Sequence, residues 1–279
     1  MLKKKIKSIL SKCVAFFSTT RVGRVFSEVM LSEAMQRKVQ IKHDDVELTF
    51  VTPNPLLLWR ATTFSEKEPE TLTWIDSFDE GDVLWDIGAN VGLYSLYAAR
   101  AKNADVYAFE PSIFNLEILG RNIAANNLVS KINVMPLALS NASGHNLMKH
   151  STTQWGGALS SFGADFGADG KALYEELSYK TFGITADELI QRGYCPLPNH
   201  IKIDVDGIEH FILSGASNVL SKASSVLIEI NDDFKDQREK TEYLLMSAGL
   251  TLIEKKRSDL ITVGDKFTEN IYNQIWKRD

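Results

Sequence analysis

One glycine-containing turn has the residue types and spacing to bind a small charged ligand. The segment Asp86–Gly92, DIGANVG, ends one apolar run and opens a second with helical spacing. Glycines at such a turn let the backbone approach a ligand without an intervening Cβ, and free N–H groups at the start of the next helix suit a carboxylate. Asp86 is placed to accept a hydrogen bond from a ligand ammonium. The turn therefore predicts a site for an amino-acid moiety.

Glu110 adds a nucleoside to this prediction. It ends the next apolar run, where a carboxylate suits hydrogen bonds from two ribose hydroxyls. The dinucleotide pattern G-x-G-x-x-G is absent, because Asn90 and Leu93 stand in place of its second and third glycines, and this disfavours a pyrophosphate. S-Adenosylmethionine carries both a ribose and an amino acid. The predicted cofactor-binding residues are Asp86, Gly88, Ala89, Asn90, Gly92, Glu110, Pro111 and Ala138.

A group of carboxylates follows the apolar run HIKIDV. Asp204, Asp206 and Glu209 are the candidate catalytic residues, because methyl transfer to an alcohol needs a base, which typically contributes about a hundredfold or more. Asp204 is the first choice, since Asp206-Gly-Ile-Glu209 also has the D-x-x-E spacing of a purely structural helix cap. Trp155 and Asn231 are predicted to contact the acceptor. Transfer from a sulfonium requires no metal, and no metal site is predicted.

A parallel sheet is needed to bring these residues together. From Asp82 onward, runs rich in Val, Ile and Leu alternate with helical patterns, which predicts a mainly parallel sheet with helices on both faces. The last two strands, LTLIEKK and ENIYNQIWK, have no helix between them and should form an antiparallel hairpin at one edge. The fold class is therefore α/β, a Rossmann-like class I methyltransferase fold with seven strands. Ligands bind such sheets at the carboxyl ends of the strands.

The chain divides into an N-terminal basic amphipathic helical extension, residues 1–50, and a main domain, residues 51–279. Seven Lys and Arg residues and no acidic residue precede Glu28. Apolar residues recur there at helical spacing, and two alternatives stay open. The helix packs on the main domain, or it rests through residues 1–24 on an anionic membrane as a peripheral contact.

Two segments of the main domain have less regular patterns. SEKEPETLTWIDSF predicts one helix, with Ser65 as its N-cap and Glu68 three residues later. Residues 141–199 contain the segment QWGGALSSFGADFGADG and predict a long loop insertion. Long loops in compact domains are commonly functional. We expect this one to fold over the ligand end of the sheet.

The sequence resembles the FkbM family of methyltransferases from about Pro55 to the C-terminus. The blocks that carry the resemblance are LWRATTFSEKEPETLTWIDSF, VLWDIGANVGLYSLYAA, VYAFEPSIFNLEILGRNI and HIKIDVDGIEHFILSGA. The resemblance implies methyl transfer from S-adenosylmethionine, often to hydroxyl groups of sugars or secondary metabolites. It also implies that Asp86, Gly88, Asn90, Gly92 and Glu110 belong to the cofactor motifs.

Composition limits the partners and leaves alternatives. A net charge of −5 gives no electrostatic reason to expect nucleic acid, so a sugar, glycan or small-molecule acceptor is favoured. Two cysteines build no disulfide framework, and a cytoplasmic setting is expected, with the inner face of a membrane as an alternative. The competing functions are an NAD-dependent oxidoreductase and a non-catalytic protein that binds a glycan or a partner.

Overall fold

The N-terminal part is helical over a shorter range than the sequence predicts. The computed structural model describes residues 2–257 and 270–278. Two helices, α1 (Leu2–Phe17) and α2 (Arg21–Gln36), precede an antiparallel hairpin of β1 (Lys38–His43) and β2 (Val46–Val51). The last quarter of the predicted extension therefore forms strands that join the main domain, with Leu48 and Phe50 in its core. The cause is a two-residue alternation of apolar side chains, which suits a half-buried strand.

Prolines divide the next segment into three short helices. They are α3 (Pro55–Thr62), α4 (Phe64–Lys67) and α5 (Pro69–Asp76). The single helix predicted from Ser65 is wrong, because Ser65 lies inside α4 and Pro69 begins α5, where its missing N–H costs nothing. Asn54 caps α3 by accepting a hydrogen bond from Leu57 N at 2.8 Å.

The main sheet begins with β3 (Val83–Ile87), β4 (Asp105–Phe109) and β5 (Ile132–Met135), connected by α6 (Leu93–Ala101) and α7 (Ile113–Ala125). An inserted unit follows, with β6 (Ala138–Leu139), β7 (Gly144–His150), β8 (Ser160–Phe162), β9 (Leu177–Ile184) and α8 (Ala186–Gln191). The chain then returns to the sheet as β10 (His200–Ile203), α9 (Glu209–Ser214), α10 (Ser217–Leu220), β11 (Ser225–Asn231), α11 (Lys235–Ser247), β12 (Thr251–Lys256) and β13 (Ile271–Lys277).

The seven strands of the main sheet lie in the order β12-β13-β11-β10-β3-β4-β5. All neighbouring pairs are parallel except those of β13, which runs antiparallel to both β11 and β12. The predicted class I methyltransferase fold, with its antiparallel edge hairpin, is confirmed. The connection between β12 and β13, residues 258–269, lies outside the described residues. Buried apolar side chains cover both faces of the sheet, so its polar groups can meet a ligand only at a strand end.

The segment predicted as a long loop contains a second sheet. Its four strands lie in the order β6-β9-β7-β8, and only the β6–β9 pair is parallel. Met148 and Phe162 from this sheet pack with Ile208 of the main domain in a small core. The prediction of a loop over residues 141–199 is therefore wrong for strands 144–150, 160–162 and 177–184 and for helix α8 at 186–191.

Candidate active site

A row of polar and small residues crosses the carboxyl edge of the main sheet. Ile87 pairs in register with Phe109 of β4 and with Ile203 of β10, and Ile203 pairs with Ile228 of β11. The residues that directly follow these four paired positions therefore lie side by side at the carboxyl edge of the sheet. The row is therefore Glu110, Gly88, Asp204 and Glu229. It includes the point where the strand order reverses about β3, which is the expected ligand position in such sheets.

Two cavities open along this row. The inner cavity, of about 540 Å³, lies between the Gly88 turn and the inserted sheet. The outer cavity encloses about 2180 Å³ including its open mouth. Both share the lining residues Gly88, Asn90, Ala158, Asp204 and Asp206, so they meet beside Asp204. An arrangement of this kind can hold two reactants with their reacting groups in contact.

Gly88 is a position that only glycine can occupy. Its φ is +84°, and a Cβ there would lie 1.9 Å from the carbonyl oxygen of Asp204. The close approach brings the end of β3 against the end of β10. Gly92 has the same φ, and there a Cβ would meet Leu119 at 2.5 Å, so it serves the packing of α6 on α7. Asn90 also has a positive φ, of 51°, as the tight turn requires.

Glu110 lies in the inner cavity and holds the glycine turn. Its carboxylate accepts hydrogen bonds from Asn90 N at 2.8 Å and from Ser112 N at 2.7 Å. Burial raises the pKa of Glu110 to about 8, against the opposing effect of these two donors. Pro111 and Ala138, two of the predicted cofactor-binding residues, line the same cavity.

Asp86 is placed differently from its predicted role. It is buried, it lines neither of the two cavities described, and its Oδ2 accepts a hydrogen bond from Ser95 Oγ at 2.5 Å. Burial raises its pKa, although the nearby Lys202 opposes the shift. Its Oδ1 has no hydrogen-bond partner among the described residues. Ala89 and Gly92 likewise lie behind the cavity wall, so their role in the structure is to shape the turn.

Lys202 is a buried cation that sequence reasoning missed. Its side chain is only 2% exposed, and its Nζ donates to Asp204 Oδ2 at 2.9 Å and lies 5.1 Å from the ring centroid of Tyr94. Burial alone would lower the pKa of Lys202, but the carboxylates of Asp204, Asp86 and Glu68 raise it. The signal was present in HIKID, because a lone lysine in a buried strand needs a charged partner.

The three candidate catalytic carboxylates have different surroundings. Asp204 lines both cavities and is about one-third exposed. Asp206 lines both as well, but its Oδ2 accepts from Leu159 N and Ser160 N at 2.7 and 3.2 Å. Burial and then Asp204 raise the pKa of Asp206 to about 6. Asp206 therefore links the inserted unit to the end of β10 through these two hydrogen bonds.

Glu209 lies below the turn rather than in a cavity. It accepts hydrogen bonds from Gly207 N and Val205 N and from the side chain of Gln237. Burial raises its pKa to about 7. The predicted capping box does not form, because Ile208 is the N-cap of α9 and Asp206 bonds to the inserted unit instead. Glu209 is a support of the turn and is removed from the candidate bases.

The two predicted acceptor contacts also lie away from the cavities. Trp155 packs against the core, and its carbonyl oxygen accepts from Asn54 Nδ2 at 3.0 Å. Asn231 is buried, and its Nδ2 donates to Ala168 O at 3.0 Å. Both residues thus hold the inserted unit in place. Neither lines a cavity described for residues 2–257 and 270–278.

Other side chains form the wall of the outer cavity. Two exposed aromatic residues, Trp59 and Tyr174, stand at its rim. Arg60 lines it too, and its Nε donates to Gly156 O at 2.8 Å. Glu229, at the end of β11, has a pKa raised well above its usual range by burial and then by the carboxylates of Asp204 and Glu68. Trp59, Arg60 and Tyr174 were not among the predicted site residues. Trp59 and Arg60 belong to α3, which is distant in sequence from the sheet residues of the site.

The fold and the site define a methyltransferase of the Rossmann-like class I type. A family model described as the methyltransferase FkbM domain matches residues 86–251. The chain belongs to the FkbM methyltransferase family, which confirms both the resemblance and the enzyme class.

Three known proteins are similar to this chain. The hexuronic acid methyltransferase AglP of Haloferax volcanii is 28% identical over 202 residues, which cover 72% of this chain and 77% of AglP. The methyltransferase sdnD of Sordaria araneosa is 40% identical over 60 residues, which cover 21% of this chain and 23% of sdnD. The crystal structure of an FkbM methyltransferase from Methylobacillus flagellatus KT is 16% identical, with a TM-score of 0.49, and covers 91% of this chain and 59% of that one.

Proposed function

We propose that this methyltransferase transfers a methyl group from S-adenosylmethionine to an oxygen atom of a sugar, a glycan or another small molecule. The observation that carries the proposal is the meeting of the inner and outer cavities beside Asp204. One cavity takes the methyl donor and the other takes the acceptor. Holding both reactants in place removes much of the entropic cost of a two-molecule reaction.

The residues of the inner cavity fit the proposed cofactor. Asn90 Oδ1 is buried without a hydrogen-bond partner among the described residues, which is the state of an acceptor that awaits a ligand donor. The Glu110 carboxylate suits ribose hydroxyls, and Leu137, Ala138 and Phe162 offer apolar walls for a base. S-Adenosylmethionine supplies a methyl group already activated on a sulfonium. The protein therefore has to orient the reactants and remove one proton.

Asp204 is the proposed base. It stands where the cavities meet, and its carboxylate is held by Lys202 from below. The buried Lys202 ammonium donates a hydrogen bond to this carboxylate at 2.9 Å and so holds it at the point where the two cavities meet. Glu229, one strand away, lines the outer cavity and offers a second polar contact to the acceptor. Burial and then the carboxylate of Asp204 raise the pKa of Glu229.

Several features of the outer cavity support a sugar acceptor. Trp59 and Tyr174 present flat apolar faces to its mouth, and Asp204 and Glu229 offer polar contacts to hydroxyl groups. The guanidinium of Arg60 suits a carboxylate, as in a sugar acid. The relative AglP is named for a hexuronic acid. We therefore place sugar acids first among the acceptors to be tried.

Calorimetry and turnover test the proposal together. The wild type should bind S-adenosylmethionine and not NAD, and Glu110→Ala should weaken that binding. Asp204→Asn should keep cofactor affinity and lose about a hundredfold or more of turnover. Asp236→Asn, on the exposed face of α11, is the matched control and should match the wild type.

Two results would contradict the proposal. Binding of NAD in place of S-adenosylmethionine would reject the cofactor, and wild-type turnover by Asp204→Asn would reject the base. Mass spectrometry of glycans and metabolites with and without active protein identifies the acceptor. The expected product is heavier by one methyl group.

A further inference from the structure

The two N-terminal helices stand apart from the rest of the protein. Gly23 is their only buried residue with described burial. Side chains that elsewhere form a core are open to solvent, and Phe16 and Val22 are 78% and 73% exposed. In the structure, the described side chains of these helices therefore do not pack on the main domain, contrary to one of the two alternatives from the sequence. A face of this kind needs a partner, because large exposed apolar patches are uncommon on soluble domains.

The apolar residues of α1 lie on one face of the helix. Ile6, Ile9, Cys13 and Phe16 follow one another at three- and four-residue steps, which place them on one side of an α-helix. Ser8 and Ser11, which are three residues apart, fall on the other side of the helix, and Lys12 lies at the border between the two sides. The helix is thus amphipathic, and the apolar side chains whose burial is described are open to solvent.

A fixed corner extends this face into α2. Thr20 caps α2 by accepting from Gly23 N at 3.0 Å, and the hydroxyls of Ser18 and Ser27 lie 2.7 Å apart. The rings of Phe17 and Phe26 meet edge to face, with centroids 5.9 Å apart. Phe16, Phe17, Val22 and Phe26 therefore form an exposed apolar corner between two helices that are held together.

The charge of the N-terminal segment indicates which kind of partner binds the apolar side of α1. The first 27 residues contain seven basic residues, Lys3, Lys4, Lys5, Lys7, Lys12, Arg21 and Arg24, and no acidic residue. The whole chain has a net charge of −5, so this positive charge is local and the main domain does not share it. A basic amphipathic helix with aromatic residues on its apolar side has the composition of interfacial membrane helices. No helix among the described residues is long and apolar enough to cross a membrane.

We propose that α1 and the α1–α2 corner bind the surface of a bilayer that contains anionic phospholipids. The apolar side of α1 and the Phe16–Phe26 corner enter the boundary between headgroups and acyl chains. Lys5 and Lys12 meet lipid phosphates. Each basic residue near such a surface strengthens binding by about fivefold.

Vesicle sedimentation of the full-length chain tests this. Wild-type protein should sediment with vesicles that contain about one-third phosphatidylglycerol or phosphatidylserine, should bind far less to pure phosphatidylcholine, and should be released by high salt. The double variant Ile9→Asp, Phe16→Asp should lose binding to the anionic vesicles. Its matched control, Ser8→Asp, Ser11→Asp, makes the same change of charge on the opposite side of α1 and should retain most of it.

The control separates insertion of the apolar face from simple charge attraction. Equal loss in both double variants would reject the apolar face as the membrane contact, and equal binding to neutral and anionic vesicles would reject the charge argument. Sedimentation equilibrium without vesicles measures the oligomeric state of the protein. A wild-type dimer that Ile9→Asp, Phe16→Asp dissociates, together with absent vesicle binding, would assign the face to a second copy of this chain and overturn the proposal. Methyltransferase activity does not enter the measurement.

Discussion

At the scale of single residues, the site depends on Lys202, a residue that was not predicted from the sequence to belong to it. It places one buried positive charge among three carboxylates, those of Asp204, Asp86 and Glu68. Glu68 also pairs with Lys67, and its pKa is lowered to about 2 because Lys67 and Lys202 outweigh the effect of burial. Removing one partner from such a buried group leaves uncompensated charge.

Lys202→Met should therefore affect both stability and chemistry. We expect a loss of about 3–5 kcal/mol of unfolding free energy, since the carboxylates lose their buried partner. We also expect turnover to fall while the affinity for S-adenosylmethionine is kept, because Asp204 loses the ammonium that holds its carboxylate in place. Denaturant unfolding measures the first effect, and steady-state kinetics with calorimetry measure the second. Lys222→Met, on the surface, is the control, and wild-type turnover by Lys202→Met would contradict the positioning role.

Glu110 gives a prediction for pH. Its pKa is raised in the folded protein to about 8, from an ordinary value of 4.5. Its contribution to stability is therefore fully present below pH 4.5 and is lost as the pH rises through 8, by about 1.4 kcal/mol per unit of pH in between. Thermal unfolding of ligand-free protein from pH 5 to 8.5 should show a steeper loss of stability in the wild type than in Glu110→Gln. Parallel curves would contradict this.

At the scale of elements, the site follows from register. Parallel strands that pair residue for residue bring the next residue of each chain to one edge, and this aligns Glu110, Gly88, Asp204 and Glu229. The ends of β3 and β10 can approach each other closely because Gly88 has no side chain. Sequence reasoning found this turn because glycine marks it, but it could not find the distance to the Asp204 carbonyl.

Gly88→Ala should therefore lower the free energy of unfolding much more than the same change at a turn with open space around it. Gly81 has nearly the same φ, +85°, but a Cβ there would meet nothing within 4 Å. Gly81→Ala should cost about 1–2 kcal/mol for the backbone conformation alone. Gly88→Ala should cost about 1–3 kcal/mol more because it forces β3 and β10 apart, and it should weaken cofactor binding. Chemical denaturation and calorimetry compare the two, and equal losses would contradict the steric argument.

The sequence predicts the main sheet well because its strands are rich in Val, Ile and Leu and alternate with helical patterns. It predicts the inserted sheet poorly. β7 reads GHNLMKH and β9 reads LSYKTFGI, and both mix polar and apolar residues because one side of this sheet faces solvent. The position of an aromatic side chain is equally hard to predict. Trp155 and Trp59 look alike in sequence, and only the fold packs the first against the core and places the second at the outer cavity.

At the scale of the whole molecule, we expect the N-terminal helices to contribute little to the stability of the main domain. Among the residues of α1 and α2 whose burial is described, only Gly23 is buried, so these helices remove little apolar surface from water. Removal of residues 1–36 should leave the melting temperature within a few degrees of the full-length value, as measured by calorimetry. A large drop would mean that the helices pack on the domain in solution.

The inserted sheet has a consequence for how such enzymes diversify. The parent sheet carries Asp204, Glu110 and the glycine turn, while the insert contributes Ala158, Leu159 and residues 167–174 to the outer cavity. The insert also gives Phe162 to the inner cavity, and the main domain gives Trp59 and Arg60 to the outer one. Sequence changes in the insert can nevertheless reshape the outer cavity while Asp204, Glu110 and the glycine turn keep their places. We therefore expect a graft of residues 144–184 from a relative to change which acceptors the enzyme uses.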